Sequence, residues 1–367
     1  MSLGCATLVL PFSTVFFSHV LAATLGFGAF ALLVRERETG PSYWLLMAGG
    51  LAAGLGFTVE YPVAVVAVAL GVFALDGRDR VRRAAVYALG VGAGALPALA
   101  FNTWAFGDPL HLPQQGWHDT GDNPYPGLLG INRPTLDAAL RILFYPGGIG
   151  PILLPALVGS ALLWRRGARL QATVPMLVAG GLLFLNSASI NPFGGASPGP
   201  RFMIPALPFL AVPLAVAFRA IPGATLGLVT GGATFLVSAT LTTPLEAWDG
   251  HVFHRVVTGV YSESVASFLG LHSGAWDIPF LLALAVAAAA IVATPWRVAR
   301  NRDAIAAALA LSGWLALTTN MRGLLQRGPA GEAVVLFVAA GTALLIAVAY
   351  RARPSLRPIA WRRPRPG

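Results

Sequence analysis

Apolar runs close to twenty residues long recur along almost the whole of this 367-residue chain. Wound as an α-helix, such a run matches the roughly 30 Å hydrocarbon core of a bilayer. In that medium every backbone N–H and C=O must be paired within the protein, so helices are the natural solution. With 56% hydrophobic and 11% charged residues and a mean hydropathy of +0.70, the composition excludes a soluble globular class. The expected fold is all-α: one polytopic membrane bundle over residues 1–350, with a basic, proline-rich, disordered tail at 351–367.

Eleven spans can be drawn, at about 11–34, 43–59, 61–75, 84–106, 143–163, 170–186, 202–218, 224–241, 278–294, 304–320 and 333–350. The second and third are short and meet at Thr58–Pro62, as a tight hairpin would. Glycines at Gly50, Gly54, Gly90 and Gly94 carry the spacing that lets helices approach closely.

The net charge of +10 comes from arginine alone, because the chain has no lysine. Nineteen of the 25 basic residues fall in one alternating set of loops plus the tail, and ten of the 15 acids in the other. The positive-inside rule makes the first set cytoplasmic, which gives an outside N-terminus and a cytoplasmic C-terminus. The arginines then serve orientation and anionic lipid headgroups, and no nucleic-acid partner is expected. An outside N-terminus with no basic leader region suggests that N-terminal helices are missing, through a late start codon, a split gene or true loss. Cys5 is the single cysteine, which rules out an intramolecular disulfide and a cysteine-based metal site.

Three residues carry the candidate chemistry. His19 lies about one turn inside the outer boundary of the first span, where an ionisable side chain is a functional candidate, its bland alternative being a hydrogen-bonded neutral imidazole. Glu60, at the turn of the short hairpin, can act as a base, pair with an arginine such as Arg201, or be a solvated turn residue. Arg201 follows Gly194, Gly195 and Pro198-Gly199-Pro200 and opens an apolar helix, so the backbone is shaped closely around it. A guanidinium suits bidentate phosphate binding there, although arginines at helix ends also snorkel.

The outer loops hold further polar residues. Asp108, His111, His118, Asp119 and Asp122 mix potential ligands, but their spacing fits no helical metal pair, so no metal site is assigned. Trp117 and Tyr125 read as an interfacial belt or a sugar-stacking surface. His251 and His254 would share one face of an interfacial helix, near Glu246, Trp248, Asp249, Arg255 and Glu263. There is no Walker loop, no GxSxG elbow and no dinucleotide fingerprint.

With these residues in hand, the chain resembles polytopic glycosyltransferases of the GT-C superfamily, in the protein O-mannosyltransferase and aminoarabinose-transferase branch. The stretches that carry the likeness are LPFSTVFFSHVLAATLGFGAFAL at 10–32, GLAAGLGFTVEYPVAVVAVAL at 50–70 and FNTWAFGDPLHL at 101–112. GLLGINRPTLDAALRILFYPGGIGPILLPALVG at 127–159, FGGASPGPRFMIPALPFLAVPLA at 193–215 and, more weakly, ESVASFLGLHSGAW at 263–276 continue it. Coverage is about 8–290, and it is the order and spacing of the stretches that make the case.

The resemblance implies transfer of a hexose or pentose from a polyprenyl-phosphate-linked donor to an acceptor glycan, lipid or protein. The reaction would run at the extracytoplasmic face of a bacterial plasma membrane, with no tightly bound cofactor, divalent metal being left open. A carboxylate in the family's first outer loop deprotonates the acceptor, and basic residues hold the carrier phosphate. That span and loop lie upstream of the part that matches here. Arg201 takes the place of the arginine in the family's GPR motif, and Glu60 stands where the aminoarabinose branch often has a lysine in the hairpin. Glu60 or His19 would then position the acceptor or replace the base. The rival expectation is a catalytically inactive member that binds a lipid-linked sugar or a membrane partner. A transporter or flippase would need a polar pathway across the bilayer, for which the spans offer little apart from His19.

The charge alternation has a direct check. In a Cys5→Ala background, Arg166→Cys is expected to react with an impermeant thiol reagent only from the cytoplasmic side and Thr120→Cys only from outside. Labelling of position 166 from outside overturns the orientation.

Overall fold

The computed structural model describes residues 2–15, 17–76, 79–111, 132–189, 191–243, 245, 251–258, 260–262 and 301–350. The described residues form an all-helical bundle without a β-strand. Two short helices, α1 (Ser2–Cys5) and α2 (Val9–Ser13), lead into α3 (His19–Thr39). Then come α4 (Tyr43–Val59), α5 (Ala64–Ala74), α6 (Arg80–Phe106), α7 (Leu136–Phe144), α8 (Gly150–Arg165), α9 (Arg169–Ala188), α10 (Leu207–Ala220) and α11 (Pro222–Thr242). The described chain closes with α12 (Val252–Thr258), α13 (Asn301–Leu325) and α14 (Pro329–Tyr350).

Seven helices among the described residues are long and apolar enough to cross a membrane: α3, α6, α9, the 3-10 turn Arg201–Ala206 together with α10, α11, α13 and α14. The helices Tyr43–Val59, Tyr61–Ala74 and Gly150–Arg165 are apolar but shorter. The expected span at 278–294 and the tail at 351–367 lie outside the described residues.

The first expected span differs in a way that matters. Residues 11–34 read as one run, yet the long helix begins at His19 and continues to Thr39. Residues 14, 15, 17 and 18 are not helical, so His19 stands at a helix start and not a turn inside a span. Likewise the run at 143–163 is broken at Tyr145–Ile149, around Pro146-Gly147-Gly148, into α7 and α8. Proline and two glycines disfavour a continuous helix there.

The short hairpin forms as its sequence suggests. Glu60 takes an extended conformation between α4 and the 3-10 turn Tyr61–Val63. Pro62 lacks the N–H that a continuing helix would need. The glycine pairs do bring two backbones together. A Cβ on Gly50 would lie 2.2 Å from the Tyr87 carbonyl, and one on Gly94 2.4 Å from the Leu51 carbonyl, so α4 and α6 touch main chain to main chain. Thr58 strengthens the contact by donating its hydroxyl to the Gly94 carbonyl at 2.8 Å.

The far end of α3 is fastened by charge. Arg83 donates to both Glu36 oxygens, at 2.5 and 2.8 Å, and its Nε donates to the Ala74 carbonyl at 3.0 Å. Both side chains are buried, at 2% exposure for Glu36 and 9% for Arg83. Beside them Arg37 donates to Asp76 and the Phe73 carbonyl, both at 2.6 Å. These bonds join the end of α3 to the end of α5 and the start of α6.

A buried ion pair resists the loss of one partner more than the loss of both, because a lone charge remains without solvation. Glu36→Ala is therefore expected to destabilise the protein by about 3–5 kcal/mol. The double variant Glu36→Leu/Arg83→Leu should recover most of that. Thermal unfolding in detergent or nanodiscs is the check, and an unchanged midpoint for Glu36→Ala would contradict the clamp.

Candidate functional site

The opposite end of α3 gathers residues from three separate segments. The first is the approach to α3 itself, with Phe12 on α2, then Phe17, Ser18 and His19. The second is the hairpin turn with Glu60. The third is the loop 191–200 and the 3-10 turn opened by Arg201.

Glu60 is the hub. Its Oε1 accepts the Ser18 hydroxyl at 2.7 Å and contacts His19 Nδ1. His19 is 4% exposed and Glu60 9%. A carboxylate on Nδ1 favours the tautomer that carries its proton there, which leaves Nε2 with a free lone pair. Ser18 bonds the carboxylate and not the imidazole, so this is not a Ser–His–Asp relay with the serine as nucleophile.

The imidazole is boxed by rings. Phe17 stacks on it at 5.8 Å, while Phe12 and Phe202 meet it edge-on at 5.2 and 5.7 Å. Arg201 lies over two of the same rings, 5.4 Å from Phe17 and 5.5 Å from Phe202. Such cation–π contacts hold a guanidinium beside an apolar wall without neutralising it.

The loop that presents Arg201 depends on glycine. Gly194 and Gly195 adopt φ of 82° and 106°, which L side chains rarely adopt. A Cβ on Gly194 would also lie 2.7 Å from the Phe202 ring and 2.8 Å from Arg201 Nε. The Arg201 N–H donates to the Phe193 carbonyl at 3.4 Å.

Four buried polar atoms in this cluster make no hydrogen bond among the described residues: His19 Nδ1, which is in contact with Glu60 Oε1, His19 Nε2, Glu60 Oε2 and Arg201 Nε. Arg201 and Glu60 are close enough to interact electrostatically but do not form an ion pair at contact distance. The cluster thus holds an acceptor on the imidazole, a carboxylate and a cation, each with hydrogen-bonding capacity that the protein leaves unused. Groups of this kind fit an anionic or hydroxyl-bearing ligand.

The three candidates read from the sequence, His19, Glu60 and Arg201, therefore come together. Others do not join them. Asp108 closes a local turn by accepting the Leu110 N–H at 2.9 Å, and His111 stacks on Phe106 at 4.3 Å. His118, Asp119 and Asp122 lie outside the described residues, as do Trp117, Tyr125, Glu246, Trp248, Asp249 and Glu263. His254 lies on α12, and His251 just precedes it. Among the described residues no group of three or more His, Cys, Asp or Glu side chains is arranged to hold a metal ion.

Sequence reading missed Phe12, Phe17, Ser18 and Phe202. The signal was the aromatic density of PFSTVFFSH, which looks like ordinary span until the break before His19 is known. Comparison with family models, with curated proteins and with solved structures gave no match to this chain.

Proposed function

We propose that the protein is a GT-C-type membrane glycosyltransferase of the bacterial plasma membrane. It takes a sugar from a polyprenyl-phosphate carrier and passes it to an acceptor hydroxyl on the extracytoplasmic side. The observation that carries the reading is the His19–Glu60 contact beside the unneutralised Arg201. The charge alternation of the loops, with an eleven-span bundle oriented N-terminus outside, supports the choice of face.

The chemistry runs by direct displacement. Glu60 orients His19, whose Nε2 takes the proton from the acceptor hydroxyl. The acceptor oxygen then forms a bond to the anomeric carbon as the bond from that carbon to the phosphate oxygen breaks. The departing phosphate gains negative charge, which Arg201 stabilises in a site walled by Phe17 and Phe202. The proton on His19 passes to water as the product leaves. No nucleotide enters the reaction, in keeping with the lack of nucleotide motifs.

Two variants separate binding from chemistry. Arg201→Ala is expected to weaken the binding of a short-chain polyprenyl phosphate by roughly tenfold or more, the scale of one charge-assisted hydrogen bond. His19→Ala is expected to keep that affinity and lower transfer from a polyprenyl-phosphate sugar by roughly 10²–10⁴, the usual contribution of a general base. Unchanged affinity in Arg201→Ala sinks the phosphate role. Carrier binding by the wild type without any transfer would favour an inactive lipid-sugar binder.

A further inference from the structure

Beside the His19 cluster the described residues enclose a second feature, a cleft of about 560 Å³. That is within the range of roughly 300–1,000 Å³ typical of small-molecule sites. It lies between the segment 132–135 that leads into α7, the end of α9, and the loop 191–200.

Its back wall is set by backbone pairing. The Asn132 N–H donates to the Ala188 carbonyl at 2.7 Å, and the Thr135 N–H to the Ser187 carbonyl at 3.1 Å. Thr135 also caps α7 through its hydroxyl. Asn132 and Arg133 are therefore carried on a fixed strip of main chain, not on a free loop. Among the described residues, neither the Asn132 amide nor the Arg133 guanidinium has a side-chain partner, and both residues are exposed.

A second polar group faces the same space. Arg141 donates twice to Asp137, at 2.7 and 3.2 Å. That hydrogen bond raises the Arg141 guanidinium further above its ordinary value, so Arg141 stays charged. The pair fixes both side chains while leaving lone pairs and N–H groups for a ligand. Phe193 adds an aromatic wall, itself held edge-on by Tyr145 at 5.2 Å.

The cleft and Arg201 share a boundary that has no side chain. Gly195 lines the cleft, and a Cβ on it would lie 3.7 Å from Arg201 Nη2. Gly195 is thus a shared edge of the cleft and the Arg201 site, and it adds no side chain of its own between them.

We propose that this cleft is a carbohydrate subsite that takes the pyranose or furanose ring attached to a phosphate held at Arg201. Planar amide, guanidinium and carboxylate groups offer paired donors and acceptors that match neighbouring hydroxyls. The C–H face of a sugar packs on an aromatic wall. With two guanidinium groups and one carboxylate, the lining favours a ligand that brings negative charge. The inference rests on the glycosyltransferase reading and adds where the sugar lies.

The test uses the full chain in nanodiscs, with bare short-chain polyprenyl phosphate and a panel of the same carrier bearing hexoses or pentoses. At least one glycosylated carrier is expected to bind roughly tenfold more tightly than the bare one. Asn132→Ala/Arg133→Ala should remove that increment and leave bare-carrier affinity unchanged. An increment that survives the double variant overturns the proposal, as does an equal loss for both ligands. If no carrier binds at all, the glycosyltransferase reading fails by itself. The cleft is then judged by Ser189→Cys, a lining position outside the proposed binding groups, in a Cys5→Ala background. Slower thiol labelling in the presence of methyl glycosides supports a sugar site, and unaltered labelling with every glycoside overturns it.

Discussion

A charge placed among apolar helices must meet a counter-charge or a hydrogen bond, because little else there can solvate it. Helix α3 meets that condition at both ends. Glu36 is locked to Arg83 at one end, and His19 contacts Glu60 at the other. The two residues are 17 positions apart, or about 25 Å along the axis. Each contact also crosses between segments distant in sequence, so the pairings fix how α3 sits against α4, α5 and α6. The glycine contact of α4 with α6 then draws the same helices together from the other side.

The two ends differ in how completely charge is satisfied. At the Glu36 end, both carboxylate oxygens accept from Arg83, and Arg37 is engaged with Asp76 and main-chain carbonyls. Of these groups only Arg37 Nε lacks a hydrogen-bond partner among the described residues, and the arrangement serves the fold. At the His19 end one Glu60 oxygen meets both Ser18 and His19 Nδ1, while the imidazole Nε2, the second carboxylate oxygen and Arg201 Nε have no hydrogen-bond partner among the described residues. A bundle that engages its charges more completely at one end of α3 than at the other leaves several hydrogen-bonding groups together at the open end, where a ligand can take them. The aromatic walls raise the value of each such interaction by excluding water.

Much of this was legible in the sequence, and the exceptions have physical causes. The apolar runs mark the helices, the glycine spacing marks the α4–α6 contact, and Pro62 marks the turn that holds the buried Glu60. The cluster Gly194, Gly195 and Pro198–Pro200 marks Arg201 as a residue held by its backbone. The start of α3 was not legible, because hydropathy does not register a break inside an apolar run, and the break is what brings Phe17 and Ser18 to the site. The Glu36–Arg83 pair spans 47 residues, and no local pattern links its partners. The cleft depends on residues 132–135 pairing with 187–188, a tertiary contact that composition cannot announce.

The central claim is that the His19–Glu60 contact and Arg201 serve one bound phosphate ester. The most direct measurement is an experimental structure of the protein with a short-chain polyprenyl phosphate in nanodiscs. The account predicts phosphate density within roughly 3 Å of the Arg201 guanidinium nitrogens, the distance of a charge-assisted hydrogen bond, on the side facing His19 Nε2. Phosphate density at another end of the bundle, with the Arg201 site filled by protein side chains alone, would contradict it.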